Sequence, residues 1–218
     1  MPYFSSSEKQ IQLDHYPSGK PGSSPAILLV HGSGGPVRGI DPFARQAAGM
    51  GVHVFVVHYF DRTGHSWVSP SVIQDFFMQW LETLRDSLSY IVSQPGIDQR
   101  RIGLLGFSLG GFLSLALATQ ESRIAAVAEL FSGLPEYFIQ DARKLPPVLI
   151  LHGSRDTVVP VAEAERLEGV LKQHKIPYEM KIYSDQGHHF TGLAQIDAVR
   201  RVVAFFRRTF SRRLLSRI

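Results

Sequence analysis

The sequence predicts an α/β domain, a mostly parallel sheet flanked by helices on both faces. Three observations carry this expectation. Continuous apolar runs of strand length recur at residues 26–30, 52–57, 102–107, 124–131 and 148–151, as expected of strands covered on both faces. Longer segments with helical periodicity separate them, and strands alternating with helices imply parallel pairing through right-handed crossovers. Several runs open into glycine-bearing loops, the place where open α/β sheets build ligand sites. The 218 residues, 44% of them hydrophobic, suit one domain over 1–218 with a large core.

Taken in order, residues 8–13 alternate weakly and predict an edge strand, and 17–22 form a Pro/Gly loop. The run 26–30 predicts a central strand ending in His31-Gly32-Ser33-Gly34-Gly35. No Gly-Lys-Ser/Thr follows, which excludes a Walker loop. Residues 42–50 read as a helix, and 52–57 as the next buried strand. Ser69 as N-cap and Pro70 at the first helical position start a long helix. Its Val72, Phe76, Trp80, Leu84 and Leu88 recur at i+4 as one core-facing stripe, and Gln94-Pro95-Gly96 stops it. Strands follow at 102–107, 124–131, 148–151 and 178–183. A helix from Pro160 carries Val161, Ala164, Leu167 and Leu171 inward, and a final helix spans about 193–210.

With no cysteine in the chain, disulfides, thiolate metal sites and cysteine nucleophiles are excluded. The start of the sequence lacks a basic segment followed by an apolar one, so no signal peptide is read there. No apolar stretch reaches the roughly 18 residues of a membrane span, and a cytoplasmic protein is expected. The net charge is +4, and Arg200, Arg201, Arg207, Arg208, Arg212, Arg213 and Arg217 supply much of the basic excess. Without a nucleic-acid-binding motif this reads as the solvated, dipole-complementing end of a helix rather than a nucleic-acid or membrane contact. No cofactor or metal is expected, and the chain is expected to be a monomer or homodimer.

The most informative stretch is Gly106-Phe107-Ser108-Leu109-Gly110-Gly111, between the strand 102–107 and the small-residue run 112–118. It fits the G-x-S-x-G elbow, in which a strained strand-to-helix turn projects a serine hydroxyl and flanking glycines spare the backbone a Cβ clash. A helix starting beneath that serine aims amide N–H groups at any oxyanion formed there. Further along come Asp156, after the strand 148–151, and His188, after 178–183. All three lie just beyond strands, hence on one edge of the sheet, and in the order Ser, Asp, His.

These pieces resemble the dienelactone hydrolase-like branch of the α/β-hydrolases. The matching stretches are His31 to Gly35, Gly106 to Gly111, His152-Gly153-Ser154-Arg155-Asp156 with Val159-Pro160, and Gly187-His188-His189-Phe190. The resemblance implies an α/β-hydrolase fold without a large lid, acting on a small-molecule ester or lactone. Ser108 is then the nucleophile, His188 its general base and Asp156 the acid orienting the imidazole. The Leu109 backbone N–H, with that of Ser33 or Gly34, forms the oxyanion hole. His188 rather than His189 takes the base position, directly after a small residue and two before a phenylalanine. Dienelactone hydrolase proper has a cysteine at the elbow and a glutamate after the first loop's histidine; here Ser108 and Gly32 stand there, which implies a serine esterase.

Other candidates have plainer readings. His31 and His152 fit structural histidines hydrogen-bonded to loop backbone. Glu129, an acid inside an apolar strand, needs a partner or a raised pKa, and is the second choice for the acid. The short segment 132–147 leaves room for one short helix, not a lid, so an open site with a short-acyl preference is expected. Tyr59, Phe60, Trp67, Tyr137 and Phe138 are the candidate pocket residues, each of which also fits a core role. Alternatives are a thioesterase or small peptidase on the same residues, or a non-catalytic scaffold of this fold.

Overall fold

The computed structural model describes residues 2–36 and 40–215, with side chains through residue 211. Met1, Arg217 and the side chains of Arg212 and Arg213, all part of the expectations above, lie outside the described residues. The strands are β1 (Tyr3–Ser6), β2 (Lys9–Tyr16), β3 (Ser24–Val30), β4 (His53–Val57), β5 (Ile97–Phe107), β6 (Ile124–Leu130), β7 (Val148–Gly153) and β8 (Tyr178–Tyr183). The helices are α1 (Ile40–Gly49), α2 (Pro70–Ser93), α3 (Leu109–Ala118), α4 (Ala162–Gln173) and α5 (Gly192–Leu215). The eight strands form one sheet in the order β1-β2-β4-β3-β5-β6-β7-β8. β1 and β2 pair antiparallel and β2 joins β4 antiparallel; every other pairing is parallel. The expected α/β sheet is therefore present, with an antiparallel edge.

Period-two alternation sorts the side chains of the central strands into two layers. On β3, Leu28 and Val30 join a core with α2, α3 and α4, while Ile27 and Leu29 face a second core with α5. The stripe on α2 works as its spacing predicts: Trp80, Leu84 and Leu88 are fully buried. On α5, Ala198, Val202, Phe205, Phe206 and Phe210 play the same part on the opposite face. No helix among the described residues is long and apolar enough to cross a membrane.

Three expectations are corrected. The strand placed at 8–13 runs from Lys9 to Tyr16 and is not the edge, because β1 lies outside it. β1 escapes the hydrophobic pattern because one of its two inward positions is a serine: Phe4 and Ser6 are buried, and Ser6 Oγ donates to Asp86 Oδ2 at 2.7 Å. β5 starts at Ile97, five residues before the expected strand. Ser24 pairs with Ile97, and the register shifts before Ala26 meets Ile102, so a polar, irregular first half precedes the apolar run. The first helix begins at Ile40, not residue 42.

The sheet order reverses beside β3: the chain goes out to β4 and returns to β5 on the other side. The carboxyl ends of β3 and β5 flank this switch point, where doubly wound sheets leave a crevice.

Candidate active site

β5 delivers Phe107 and then turns sharply. Ser108 has φ 51° and ψ −121°, a left-handed conformation at the N-cap of α3. A non-glycine residue held there costs about 1–3 kcal/mol and persists only where its surroundings over-determine it. Here Ser108 N–H donates to Leu130 O at 3.0 Å, while Ser108 O accepts from Gly111 N at 2.8 Å and Phe112 N at 3.2 Å. The turn also demands glycine. A Cβ at Gly106 would lie 2.4 Å from Gly110 O, and one at Gly110 would lie 2.1 Å from Val30 O.

Asp156 follows β7 and is buried. Its loop folds back so that Oδ1 accepts from the N–H groups of Val158 (2.8 Å) and Val159 (2.9 Å). Burial favours the neutral acid, but the His188 hydrogen bond and those two N–H groups outweigh it, so the carboxyl sits below the usual carboxylate range. His188 sits in the loop after β8. The buried ring of Phe190 anchors that loop against Tyr183 and Phe131, with centroids 4.7 and 5.2 Å away.

The fold brings Ser108, His188 and Asp156 together. His188 Nδ1 lies 2.8 Å from Asp156 Oδ2, and His188 Nε2 lies 3.0 Å from Ser108 Oγ. A carboxylate can only accept, so Nδ1 carries the proton and Nε2 of the neutral ring accepts from the serine hydroxyl. Such a chain can withdraw the hydroxyl proton as the oxygen attacks an electrophile.

The loop after β3 passes beside this serine. A Cβ at Gly32 would lie 3.2 Å from Ser108 Cβ, so any side chain there would press on it. Ser33 and Gly34 line the same cleft as Ser108. The Leu109 N–H, in the first turn of α3, has no acceptor within its own helix. The cleft holds about 730 Å³, and Leu105, Phe107, Leu130, Phe131, Phe43 and Val202 are among the residues that line it.

Of the candidate pocket aromatics, Trp67 lines the cleft. Tyr59, Phe60 and Phe138 are corrected to core residues. The Tyr59 ring stacks on His31 at 4.1 Å and its hydroxyl donates to His31 O at 2.9 Å, so it braces the β3 loop from beneath. Phe138 is a buried residue of the short 3₁₀ segment Glu136–Lys144. Tyr137 is 73% exposed and lies outside the cleft lining. His31 and His152 are buried within backbone contacts. His31 Nδ1 donates to Gly32 O at 2.8 Å, and burial lowers its pKa to about 4; His152 Nε2 donates to Val159 O at 2.9 Å. Among the described residues no cluster of three or more His, Asp or Glu side chains is arranged to hold a metal ion.

Sequence reasoning missed Phe131 and the walls supplied by α1 and α5. Phe131 is a non-glycine residue at φ 49°, and its ring packs on Phe107, His188, His189 and Phe190. Two residues earlier, fully buried Glu129 accepts through Oε2 from Ser132 N (3.0 Å) and Ser132 Oγ (2.6 Å), while Oε1 has no partner. No hydrogen bond joins Glu129 to His188 among the described residues. Burial raises the Glu129 pKa from 4.5 to about 7, against the opposing pull of the Ser132 hydrogen bonds. An acid with a raised folded-state pKa stabilises fully below its unfolded value and loses that contribution as pH climbs through the folded one. The unfolding free energy of the protein should therefore fall by about 3 kcal/mol from this group between pH 4.5 and pH 8. Urea denaturation across that range checks it: Glu129→Gln should flatten this part of the profile, and an unchanged slope would contradict the assignment.

The family model described as "Dienelactone hydrolase family" matches residues 13–209. A carboxymethylenebutenolidase of Rhodococcus opacus is 28% identical over 214 residues, covering 86% of this chain and 82% of its own. Mouse mitochondrial acyl-coenzyme A thioesterase 2 is 28% identical over 167 residues, covering 73% of this chain; the match spans 35% of the thioesterase. Among solved structures, a dienelactone hydrolase-like promiscuous phosphotriesterase from metagenomic libraries superposes with a TM-score of 0.83 at 18% identity, covering 95% of this chain and 96% of the other. The Pyrococcus horikoshii acylaminoacyl peptidase does so with a TM-score of 0.81 at 15% identity, covering 95% and 41%. These two likenesses bear on the fold alone. The family match over nearly the whole chain goes further: the chain belongs to the dienelactone hydrolase family of α/β-hydrolases, and is a carboxylic-ester hydrolase.

Proposed function

We propose that the protein cleaves small carboxylic esters or lactones through an acyl-serine intermediate on Ser108. The observation that carries this reading is the unbroken pair of hydrogen bonds from Ser108 through His188 to Asp156, at 3.0 and 2.8 Å. Ser108 Oγ attacks the substrate carbonyl carbon while His188 Nε2 takes its proton, and Asp156 stabilises the imidazolium. The carbonyl oxygen becomes an oxyanion that accepts from the Leu109 N–H and from that of Ser33 or Gly34. Loss of one such donor typically costs about 3 kcal/mol in the barrier. Collapse breaks the carbonyl–oxygen bond, and His188 returns its proton to the departing alkoxide. Water, deprotonated by the same imidazole, then releases the acid and restores Ser108.

The same acyl-serine serves a thioester, and the likeness to the mouse thioesterase favours that as the second reading. The glycine at position 32 leaves no side chain over Ser108, in keeping with a plain serine esterase.

Fluorophosphonate labelling tests the proposal. The probe should modify Ser108 alone, located by peptide mass spectrometry, and short p-nitrophenyl esters should protect against it. Ser108→Ala should lose both labelling and turnover while remaining folded. Labelling at another serine would sink the assignment, and a panel of short esters, lactones and acyl-thioesters ranks the substrates.

A further inference from the structure

A second groove of about 280 Å³ runs between α1 and α5, and it shares Phe43 and Val199 as lining residues with the cleft above Ser108. Apart from Gln46 and two arginines its lining is apolar, Met50, Val203 and Ala204 among it, and no acid lines it. Arg200 and Arg207 do line it. They stand seven residues apart on α5, so both fall on one helix face. Their neighbours on that helix are already occupied: Arg201 pairs with Asp197 at 2.7 Å and Arg208 with Glu179 at 2.6 Å. Arg200 and Arg207 make no ion pair among the described residues. The acids of the flanking elements are engaged elsewhere, Asp41 by the Tyr16 hydroxyl and Asp197 by Tyr183 and Arg201. Val199 and Met50 remain exposed at 39% and 47%. Cleft and groove thus border one another at Phe43 and Val199, and the groove sets two guanidinium groups, without an ion pair among the described residues, beside apolar side chains.

Resting on the ester-hydrolase reading above, we infer that one arm of the substrate runs from the Ser108 cleft into the α1–α5 groove and ends in an anionic group held by Arg200 and Arg207. The substrate class is an ester with an apolar spacer and a distal carboxylate or phosphate. The midpoint between Arg200 and Arg207 lies about 7 Å along the helix axis from Val199 at 1.5 Å per residue, a span that a medium-length chain covers. Arginine suits the end of such a groove, since its apolar stem covers the wall while its fork meets a carboxylate or phosphate with two donors.

The test compares esters of matched length with and without the terminal charge. On the acyl side these are the p-nitrophenyl monoester of octanedioic acid and its methyl-capped form; on the alcohol side, butyrate esters of 8-hydroxyoctanoate and of its methyl ester. A member with a terminal phosphonate separates phosphate from carboxylate recognition. The anionic member of one series should be preferred in kcat/KM by about tenfold, as two partly exposed charge pairs allow, and the preference should shrink in salt. The double variant Arg200→Gln/Arg207→Gln should erase it through KM, with p-nitrophenyl butyrate turnover unchanged. Equal treatment of charged and capped esters in both series, or a preference surviving the double variant, overturns the inference. Failure to cleave the butyrate ester would count against the hydrolase reading instead. The groove is then judged by calorimetric binding of the uncleavable octanedioic acid monoanilide: about tenfold weaker binding in the double variant supports it, and no binding or equal binding overturns it.

Discussion

His188→Ala should lower kcat by about 10⁶-fold, the scale seen when the base of a serine–histidine–aspartate unit is removed, whereas His189→Ala should keep most of kcat. The two imidazoles are neighbours in sequence, and their ring centroids are 5.2 Å apart. They differ in what they reach. His188 is half-buried with both nitrogens engaged, one on Asp156 and one on Ser108. His189 is exposed at the cleft mouth, its ring edge-on to Phe131 at 5.7 Å. Moving a proton out of the Ser108 hydroxyl requires an acceptor within hydrogen-bond reach, and His188 meets that condition. Residual turnover in His188→Ala would come from the backbone donors and from binding. His189→Ala should act on KM, by changing the mouth of the cleft. The measurement is steady-state hydrolysis of p-nitrophenyl butyrate, with circular dichroism to establish folding. Collapse confined to His189→Ala, or equal collapse in both folded variants, would overturn the assignment.

What was legible in the sequence had a local physical cause. The central strands are covered on both faces, so their residues are uniformly apolar and their runs visible. The elbow is visible because Gly106 and Gly110 have no space for a Cβ. The order Ser108, Asp156, His188 could be read because each follows a strand, and parallel strands end on one edge. What stayed hidden depends on packing between distant segments. β1 is concealed by Ser6, whose burial is possible because Asp86 on α2 accepts from it. Tyr59 and Phe60 stand near the site in sequence, yet composition does not say which way a ring points, and both point into the core. The cleft walls on α1 and α5 depend on two helices, nearly 150 residues apart, meeting over one face of the sheet. A sequence signal for the α5 wall was Val199, apolar yet outside the core stripe of the last helix. Phe131 was hidden for a different reason: its left-handed turn is spanned by the Glu129–Ser132 hydrogen bonds, and the need of a buried Glu129 for a partner does not say which residue supplies it.

That competition between the two acids is decided by Asp156→Asn, which should lower kcat by about 10⁴-fold, the loss seen when the histidine of such a unit is held in the wrong tautomer. The asparagine side chain has nearly the volume of the aspartate, so the loop should keep its shape, with Oδ1 still accepting from Val158 and Val159. With the carbonyl oxygen so held, the amide NH₂ faces His188 Nδ1. A donor there selects the tautomer with its proton on Nε2, which then cannot accept from Ser108 Oγ. The imidazolium formed during the reaction also loses its counter-charge. Glu129→Gln works through a different route. Its oxygen can go on accepting from Ser132, so Phe131 keeps its turn and kcat should stay within about tenfold of the parent, a change of no more than about 1.4 kcal/mol in the barrier. Both variants are to be compared at one pH with the same butyrate ester, and folding checked by circular dichroism. A folded Glu129→Gln protein that loses more activity than Asp156→Asn would move the acid from β7 to β6. The opposite ranking would leave Glu129 as the acceptor that ties Ser132 back across the Phe131 turn.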